Sequence, residues 1–564
     1  MKLKELGFDE KNRVFINTDK VIDYSDGEKN EEYIFDSLKN AKDTSIYSME
    51  LFNCIRDWSS EYHFTTYRSN ILRSLNIKKG HHVLEIGAGC GAITRYLGET
   101  GAKITAVEGS LSRARCIAER CRDLDNVTVI CSNVEDIEFE EKFDVVTLIG
   151  VFEYTAKYSN RDNPFSAALN SYANLLKPNG ALVIAIENKL GLKYFAGFNE
   201  DHFATAYFGL EGRYGEKDIT TFGYDEIKDM LGKSGFGTTK FLFPFPDYKL
   251  PKVVITDQGL ARKEFNVADL IRFTKDRHYN PRPKANLLNE YLVWESIAEN
   301  GLIKDLSNSF LIVATKNQTQ ELVDDSLLSQ YYTCNRVEPH NTATTFYSAT
   351  TKGIAVRKNH LGSVEGKQAT AGISHDLDGE TTYIPGRNLH HLITGALLRH
   401  QYKEYERLMA KWVDYLKSFA MVDKASNTKW VKPDYFDALP FNMIEDHNGK
   451  LHLFDQEWHI EEKFDLPFLM VRYLGMHRRN KEIYGDYAND FGNFINKTLK
   501  FCGLNPLSAN TLKQYRNLDE TIRAKINRVG GQAPLQLKKS LVFLMLAKLK
   551  EIKAYLYSGR FAQR

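Results

Sequence analysis

Cysteine is scarce in this sequence: seven in 564 residues, at positions 54, 90, 116, 121, 131, 334 and 502. The number is odd and no two stand as Cys-x-x-Cys. That spacing argues against a disulfide framework or a zinc site and fits a reducing compartment. Long apolar runs are missing as well. The longest, Leu541–Ala547, is seven residues, against the ~20 needed to span a bilayer. The opening Met1 to Leu6 has no apolar signal core, so a cytoplasmic protein is expected. Neither sign of charge dominates: 75 Lys and Arg against 73 Asp and Glu leave +2. No electrostatic case for a nucleic-acid partner follows, and none is expected. With 43% hydrophobic and 26% charged residues the chain can bury several cores, which excludes bulk disorder. At roughly 150 residues per domain, three to four domains are expected.

What the sequence does have begins at His82-Val-Leu-Glu-Ile-Gly-Ala-Gly-Cys-Gly91. A short apolar strand ends near Glu85, and glycines recur at Gly87, Gly89 and Gly91. A helix follows, closed by Gly101, and then a second strand, Lys103–Val107, ends in Glu108. Glycines let a backbone approach a ligand closely, and a carboxylate 19 residues after Gly89 can take both hydroxyls of a ribose. Dinucleotide binders prefer G-x-G-x-x-G, whose third glycine packs a helix beneath a pyrophosphate. Here Glu85 precedes an alternating Gly-x-Gly-x-Gly, so no pyrophosphate is required and the carboxylate can hold a ligand ammonium.

This pattern resembles motif I of class I S-adenosylmethionine-dependent methyltransferases, and the resemblance extends over 83–187. It implies an α/β fold with a Rossmann-like seven-stranded sheet and S-adenosyl-L-methionine as cofactor. In the family, the loop after the third strand reads adenine. Asn133 stands there as an amide acceptor and Val134 as a backbone donor. Gly150 closes the next strand, Phe143–Ile149, where open α/β sheets bind ligands. Asp162-Asn-Pro-Phe165 imitates an amino-group methylase motif but lies twelve residues beyond that strand end and reads as a helix start. Ser309–Thr315 is expected to be the last strand, with Lys252–Thr256 as the alternative. Residues 244–308 would then be an insertion capping the substrate.

Polar loops lie between these elements. His202 is the candidate general base, since imidazole titrates near neutrality; a hydroxyl acceptor needs such a base and a phosphate oxygen does not. Arg213 and Lys249 are candidate holders of an anionic acceptor. Trp58 to Arg68, upstream of the first strand, is expected to fold over the cofactor.

The second half reads differently. Residues 318–330 are polar, like a linker. Ser326–Arg336, Thr344–Ala349 and Gly353–Lys358 look like three strands. Asp437 and Asn442 stand as D-x-x-x-x-N, and Asp455 ends an apolar strand after a short hairpin. This resembles kinase-fold small-molecule phosphotransferases over 326–480. The resemblance implies Asp437 as the catalytic aspartate, Asn442 and Asp455 as magnesium ligands, and ATP as nucleotide. The nucleotide lysine is Lys358, with Arg357 the competitor. Against it, no His-Arg precedes Asp437, no glycine-rich loop joins the first strands, and 359–382 shows no helix with a pairing glutamate. Across 535–564, Lys538, Lys539, Lys548, Lys550, Lys553, Arg560 and Arg564 face Glu551 alone. Such a basic amphipathic end can pack on the domain or dock on an acidic membrane surface.

The expected organisation is an N-terminal helical cap at 1–80, a methyltransferase domain at 81–317, an α+β kinase-like domain at 318–500 and a basic helical tail at 501–564. The order resembles bacterial enzymes that cap O-antigen polysaccharides. That implies a saccharide or lipid-linked glycan acceptor, methylated on a hydroxyl or a terminal phosphate, with glycosyltransferases of the same pathway as partners. A methyltransferase of protein or RNA, whose second half only binds substrate, is the alternative.

Overall fold

The computed structural model describes residues 5–17, 27–274, 287–317, 322–349, 353–362, 368–370, 372–377, 379–422, 429–461 and 464–528. The basic stripe expected over 535–564 lies outside them. Among the described residues no helix is long and apolar enough to cross a membrane.

One sheet organises most of the chain. Its strands are β1 (Gly7–Asp9), β2 (Val14–Ile16), β3 (His82–Ile86), β4 (Lys103–Glu108), β5 (Val127–Cys131), β6 (Phe143–Ile149), β7 (Leu176–Glu187), β8 (Thr238–Phe245), β9 (Val253–Thr256), β10 (Ser309–Thr315), β11 (Leu327–Thr333), β12 (Thr342–Ser348) and β13 (Ile354–His360). They lie in the order β1-β2-β5-β4-β3-β6-β7-β10-β8-β9-β11-β12-β13, with the two-residue strand Thr381–Thr382 at the far edge. Strands β5, β4, β3, β6 and β7 run parallel. β10 inserts between β7 and β8, antiparallel to both. The glycine loop follows β3, where the strand order reverses between β4 and β6, and a crevice opens at that point in doubly wound sheets. Helices cover both faces, so the central strands are apolar throughout: Ser309–Thr315 is buried at every position, as a two-faced strand requires.

Val253–Thr256 lies on the outer side of β8 and pairs with it, so β10 and not β9 occupies the place beside β7. The polar stretch 318–330 does not break the sheet. β11 pairs antiparallel with β9, Ser329 opposite Ile255 and Tyr331 opposite Val253. β12 and β13 continue the same ladder. The two halves therefore share one hydrogen-bonded sheet.

The rest of the second half packs on helices Leu389–Leu398 and Tyr402–Lys417. In the latter, Tyr405, Leu408, Met409, Trp412, Val413 and Leu416 are buried, the i, i+3, i+4 spacing of one helical face. Met443–Glu445 and Leu451–Leu453 form a short hairpin. Two residues beyond helix Ala509–Ile526, Arg528 donates to Thr66 Oγ1 and the Tyr47 carbonyl and so ties the C-terminal end of the described chain to the N-terminal cap.

Candidate functional site

A cavity of about 740 Å³ opens at the carboxyl ends of β3, β4, β6 and β7. Gly87, Gly89 and Gly91 all have left-handed backbones, with φ of 68°, 60° and 79°, a region costly for residues with a Cβ. At Gly87 an added Cβ would stand 2.6 Å from the Val151 side chain. Gly87 and Gly89 line the cavity. Gly91 does not; it begins helix Ala92–Glu99 and lets that helix rest against the Ile117 backbone.

The carboxylates fit an S-adenosylmethionine-like ligand. Glu108 accepts from the Gly89 N–H at 2.7 Å and the Ser110 N–H at 3.1 Å, which fixes both oxygens at the cavity wall with lone pairs to spare. Glu85 is 3% exposed, and its Oε2 has no hydrogen-bond partner. Burial pushes its carboxyl up to about 8. An orphaned buried carboxylate awaits a donor, and a ligand ammonium is one. Asn133 and Val134 line the wall beyond; Asn133 Oδ1 accepts from the Glu135 N–H at 3.2 Å, which caps a single 3₁₀ turn. Gly150 also lines the cavity, and a Cβ there would meet the Tyr248 hydroxyl at 2.6 Å. Trp58, Tyr62, His63 and Arg68 close over the site.

On the wall formed by the strand ends of β6 and β7 and the loops after them stand Glu153, Glu187, Asp201, His202, Tyr248 and Lys249. His202 Nδ1 bonds Glu200 Oε1 at 3.0 Å. Burial opposes the charge on His202, but Glu200, Glu187 and Glu153 outweigh it and lift the imidazole to about 9. The Lys249 ammonium lies 2.6 Å from Glu187 and 2.7 Å from Asp201, and Lys193, fully buried, also pairs with Asp201. Lys249 thus lines the cavity with its charge already matched. Arg213 is outside it. Its side chain, 43% exposed, pairs with Glu211 at 3.0 Å and stacks on Phe208, because the 207–214 loop folds back on itself through Tyr207 O, Phe208 O and Gly209 O. Asp162–Phe165 is a helix start, with Pro164 in the first turn.

In the second half, the expected residues form two pairs. Asn442 Nδ2 donates to Asp437 Oδ2 at 2.9 Å, and Arg472 donates to Asp437 Oδ1 at 2.7 Å while also holding Asp519. Lys358, on β13, pairs with Asp455 and, at 2.8 Å, with Glu457. Arg357 points its guanidinium to Glu380 on the exposed side, which separates it from Lys358. The Phe454 N–H donates to the Asn442 carbonyl at 3.0 Å, so Asp455 follows directly on the loop of Asp437 and Asn442. Arg336 pairs with Glu457 at 2.5 Å and feels Asp455 and Asp437.

Sequence reasoning missed Glu153, Glu187, Glu200, Asp201, Arg336 and Glu457 as site residues. The signals were positional: Glu153 follows the end of β6, Glu187 and Glu200–Asp201 stand in polar loop clusters, and Glu457 lies two residues after Asp455.

Residues 84–184 match the methyltransferase domain family. Over 142 residues the chain is 31% identical to a ubiquinone biosynthesis O-methyltransferase of Bradyrhizobium diazoefficiens, covering 25% of this chain and 49% of that protein. Over 171 residues it is 25% identical to a ubiquinone biosynthesis O-methyltransferase of Nitrobacter winogradskyi, covering 30% of this chain and 61% of that one. The chain spans between about half and three fifths of these relatives' length. A solved Haemonchus contortus phosphoethanolamine N-methyltransferase 2 with S-adenosyl-L-methionine is 19% identical with a TM-score of 0.29, covering 50% of this chain and 60% of that one. Residues 84–184, with the glycine loop and its two carboxylates, are thus a methyltransferase domain of the class I S-adenosylmethionine-dependent type.

Proposed function

We propose that the protein transfers a methyl group from S-adenosylmethionine to a hydroxyl oxygen of a saccharide acceptor. The cofactor supplies a methyl group activated on a sulfonium. Glu85 takes its ammonium, Glu108 its ribose, and Asn133 with Val134 its adenine. The observation that carries the oxygen-acceptor reading is the Glu200–His202 pair in the wall of the same cavity. Glu200 holds Nδ1; because the imidazole is lifted to about 9 it carries a proton at neutral pH, so Nε2 takes the proton of the acceptor hydroxyl only after releasing its own, and turnover should rise with pH toward about 9. The two relatives from Bradyrhizobium diazoefficiens and Nitrobacter winogradskyi are O-methyltransferases, which supports oxygen as the acceptor atom.

A hydroxyl fits this wall better than a phosphate. Lys249 is matched by Glu187 and Asp201, and Glu153 and Glu187 each present a carboxylate oxygen without a partner. Those oxygens attract hydroxyl donors and repel a phosphate. Trp58, Tyr62, Tyr154 and Tyr158 line the rest, and aromatic faces suit the C–H faces of a sugar ring. The test is methyl transfer to a panel of glycans, with the product read by NMR. A methyl ether supports the proposal; a phosphate methyl ester, or transfer only to protein or RNA, overturns it.

The finer reading of the second half is a nucleotide site that prepares or holds the glycan end. Its support is the meeting of Lys358 with Asp455 and Glu457, where Glu457 takes the place of a helix-borne glutamate that is not found beside Lys358 among the described residues. Because Asn442 donates to Asp437 through its amide nitrogen, Oδ1 is the atom it would offer to magnesium. A thermal-shift titration with ATP and magnesium tests it. At 100 times the dissociation constant a ligand adds roughly 2.7 kcal/mol. A magnesium-dependent shift lost in Asp455→Asn supports the site; no shift leaves a scaffold.

A further inference from the structure

Three groups in the cavity wall converge in a way that methyl transfer does not require. Glu153 lies in the turn after β6, Glu187 ends β7, and His202 follows in the next loop. One donor atom of each lies within 4.8 Å of the others. Glu153 and Glu187 are each 1% exposed, and in both Oε2 lacks a hydrogen-bond partner. Bare carboxylate oxygens at such depth are costly unless something fills the space between them.

We propose that Glu153, Glu187 and His202 bind one divalent cation in the wall of the methyl-donor cavity. Two carboxylate oxygens and one imidazole nitrogen form a donor set for Mn²⁺, Fe²⁺ or Zn²⁺ rather than for Ca²⁺ or Mg²⁺, which take oxygen alone. The surroundings are those of a metal site. Glu200 holds Nδ1 of His202, which fixes the ring as outer-sphere carboxylates fix metal-bound histidines. Lys249 holds Oε1 of Glu187 and leaves Oε2 open. The purpose of the site rests on the oxygen-acceptor reading above: a cation here would sit beside an acceptor hydroxyl. His202 would then be a ligand rather than the base, and the acceptor hydroxyl, acidified by the cation, would give its proton to water in the open cavity.

The experiment uses the full chain carrying Asp455→Asn, so that the second half contributes no cation site. The protein is stripped with EDTA and titrated with MnCl₂, with free Mn²⁺ followed by electron paramagnetic resonance. S-adenosylhomocysteine affinity is measured in the same samples. The expected result is one bound Mn²⁺ per chain, weakened by at least about tenfold in both Glu153→Gln and Glu187→Gln, with cofactor affinity kept. No saturable Mn²⁺ binding overturns the proposal, and so does equal binding in both variants. Full methyl transfer by the stripped, Mn²⁺-free protein would also overturn it and leave His202 as the base. Mn²⁺ bound as expected but no methyl transfer to any hydroxyl would retain the cation site and remove the acceptor reading.

Discussion

Replacing Glu85 by glutamine should make the ligand-free protein more stable and its cofactor binding worse. Burial lifts the Glu85 carboxyl from 4.5 to about 8. Below pH 4.5 the folded and unfolded chains both hold the proton, and the group has no effect. Between 4.5 and 8 the unfolded chain releases it and the folded chain keeps it, so stability falls as pH rises through this window. At pH 7 the gap is about 2.5 units, or about 3 kcal/mol. Glu85→Gln removes that penalty, less whatever the buried amide costs, so the gain in ligand-free stability is at most about 3 kcal/mol at pH 7 and near zero at pH 4. The same carboxyl must ionise to meet a ligand ammonium. Wild-type affinity for S-adenosylhomocysteine should therefore rise about tenfold per pH unit between 5.5 and 7, below the range where an α-amino group itself titrates. In the variant, affinity should be lower and flat over that range. Urea unfolding at the two pH values and isothermal titration calorimetry supply both readouts. A wild-type affinity that does not change with pH, or a variant that loses stability at pH 7, would refute the assignment of Glu85 to the ammonium.

Other expectations follow from single contacts. Glu108→Gln should weaken cofactor binding on the order of 100-fold, the scale of losing charged hydrogen bonds; unchanged affinity by calorimetry would move the ribose elsewhere. His202→Ala should cut turnover by about 10²-fold or more while leaving cofactor affinity intact, and a fully active variant would remove His202 from the reaction. Gly87→Ala combines a φ of 68° with a Cβ 2.6 Å from Val151; it should cost about 1–2 kcal/mol of stability by urea unfolding. Lys358→Met leaves Asp455 and Glu457 without their shared cation and should cost about 3 kcal/mol, measured by the same method.

The cofactor half was legible because its chemistry is local. Three glycines in five residues can serve one backbone turn, and Glu85 and Glu108 close strands whose apolar runs are plain in the sequence. The acceptor wall was not legible, because its contacts are long-range. Lys249 meets Asp201 across 48 positions, and charge alone could not say whether it faced a ligand or a buried carboxylate. Arg213 misled for the same reason: an arginine in a polar loop points wherever the loop folds, and this one folds outward. Asp437, Asn442 and Asp455 were found by spacing, whereas Glu457 and Arg336 needed the 121-residue contact between them to show their part.

The pairing of β9 with β11 sets a limit on dissection. A fragment ending at residue 317 would keep Val253–Thr256 but lose Ser329, Gln330 and Tyr331, the residues now hydrogen-bonded along it. Four buried residues, Val-Val-Ile-Thr, would become an open strand margin able to recruit another copy of the chain. The isolated halves are therefore expected to precipitate or self-associate even if the first keeps its cavity intact. An inactive fragment would then report on solubility rather than on which half performs the chemistry.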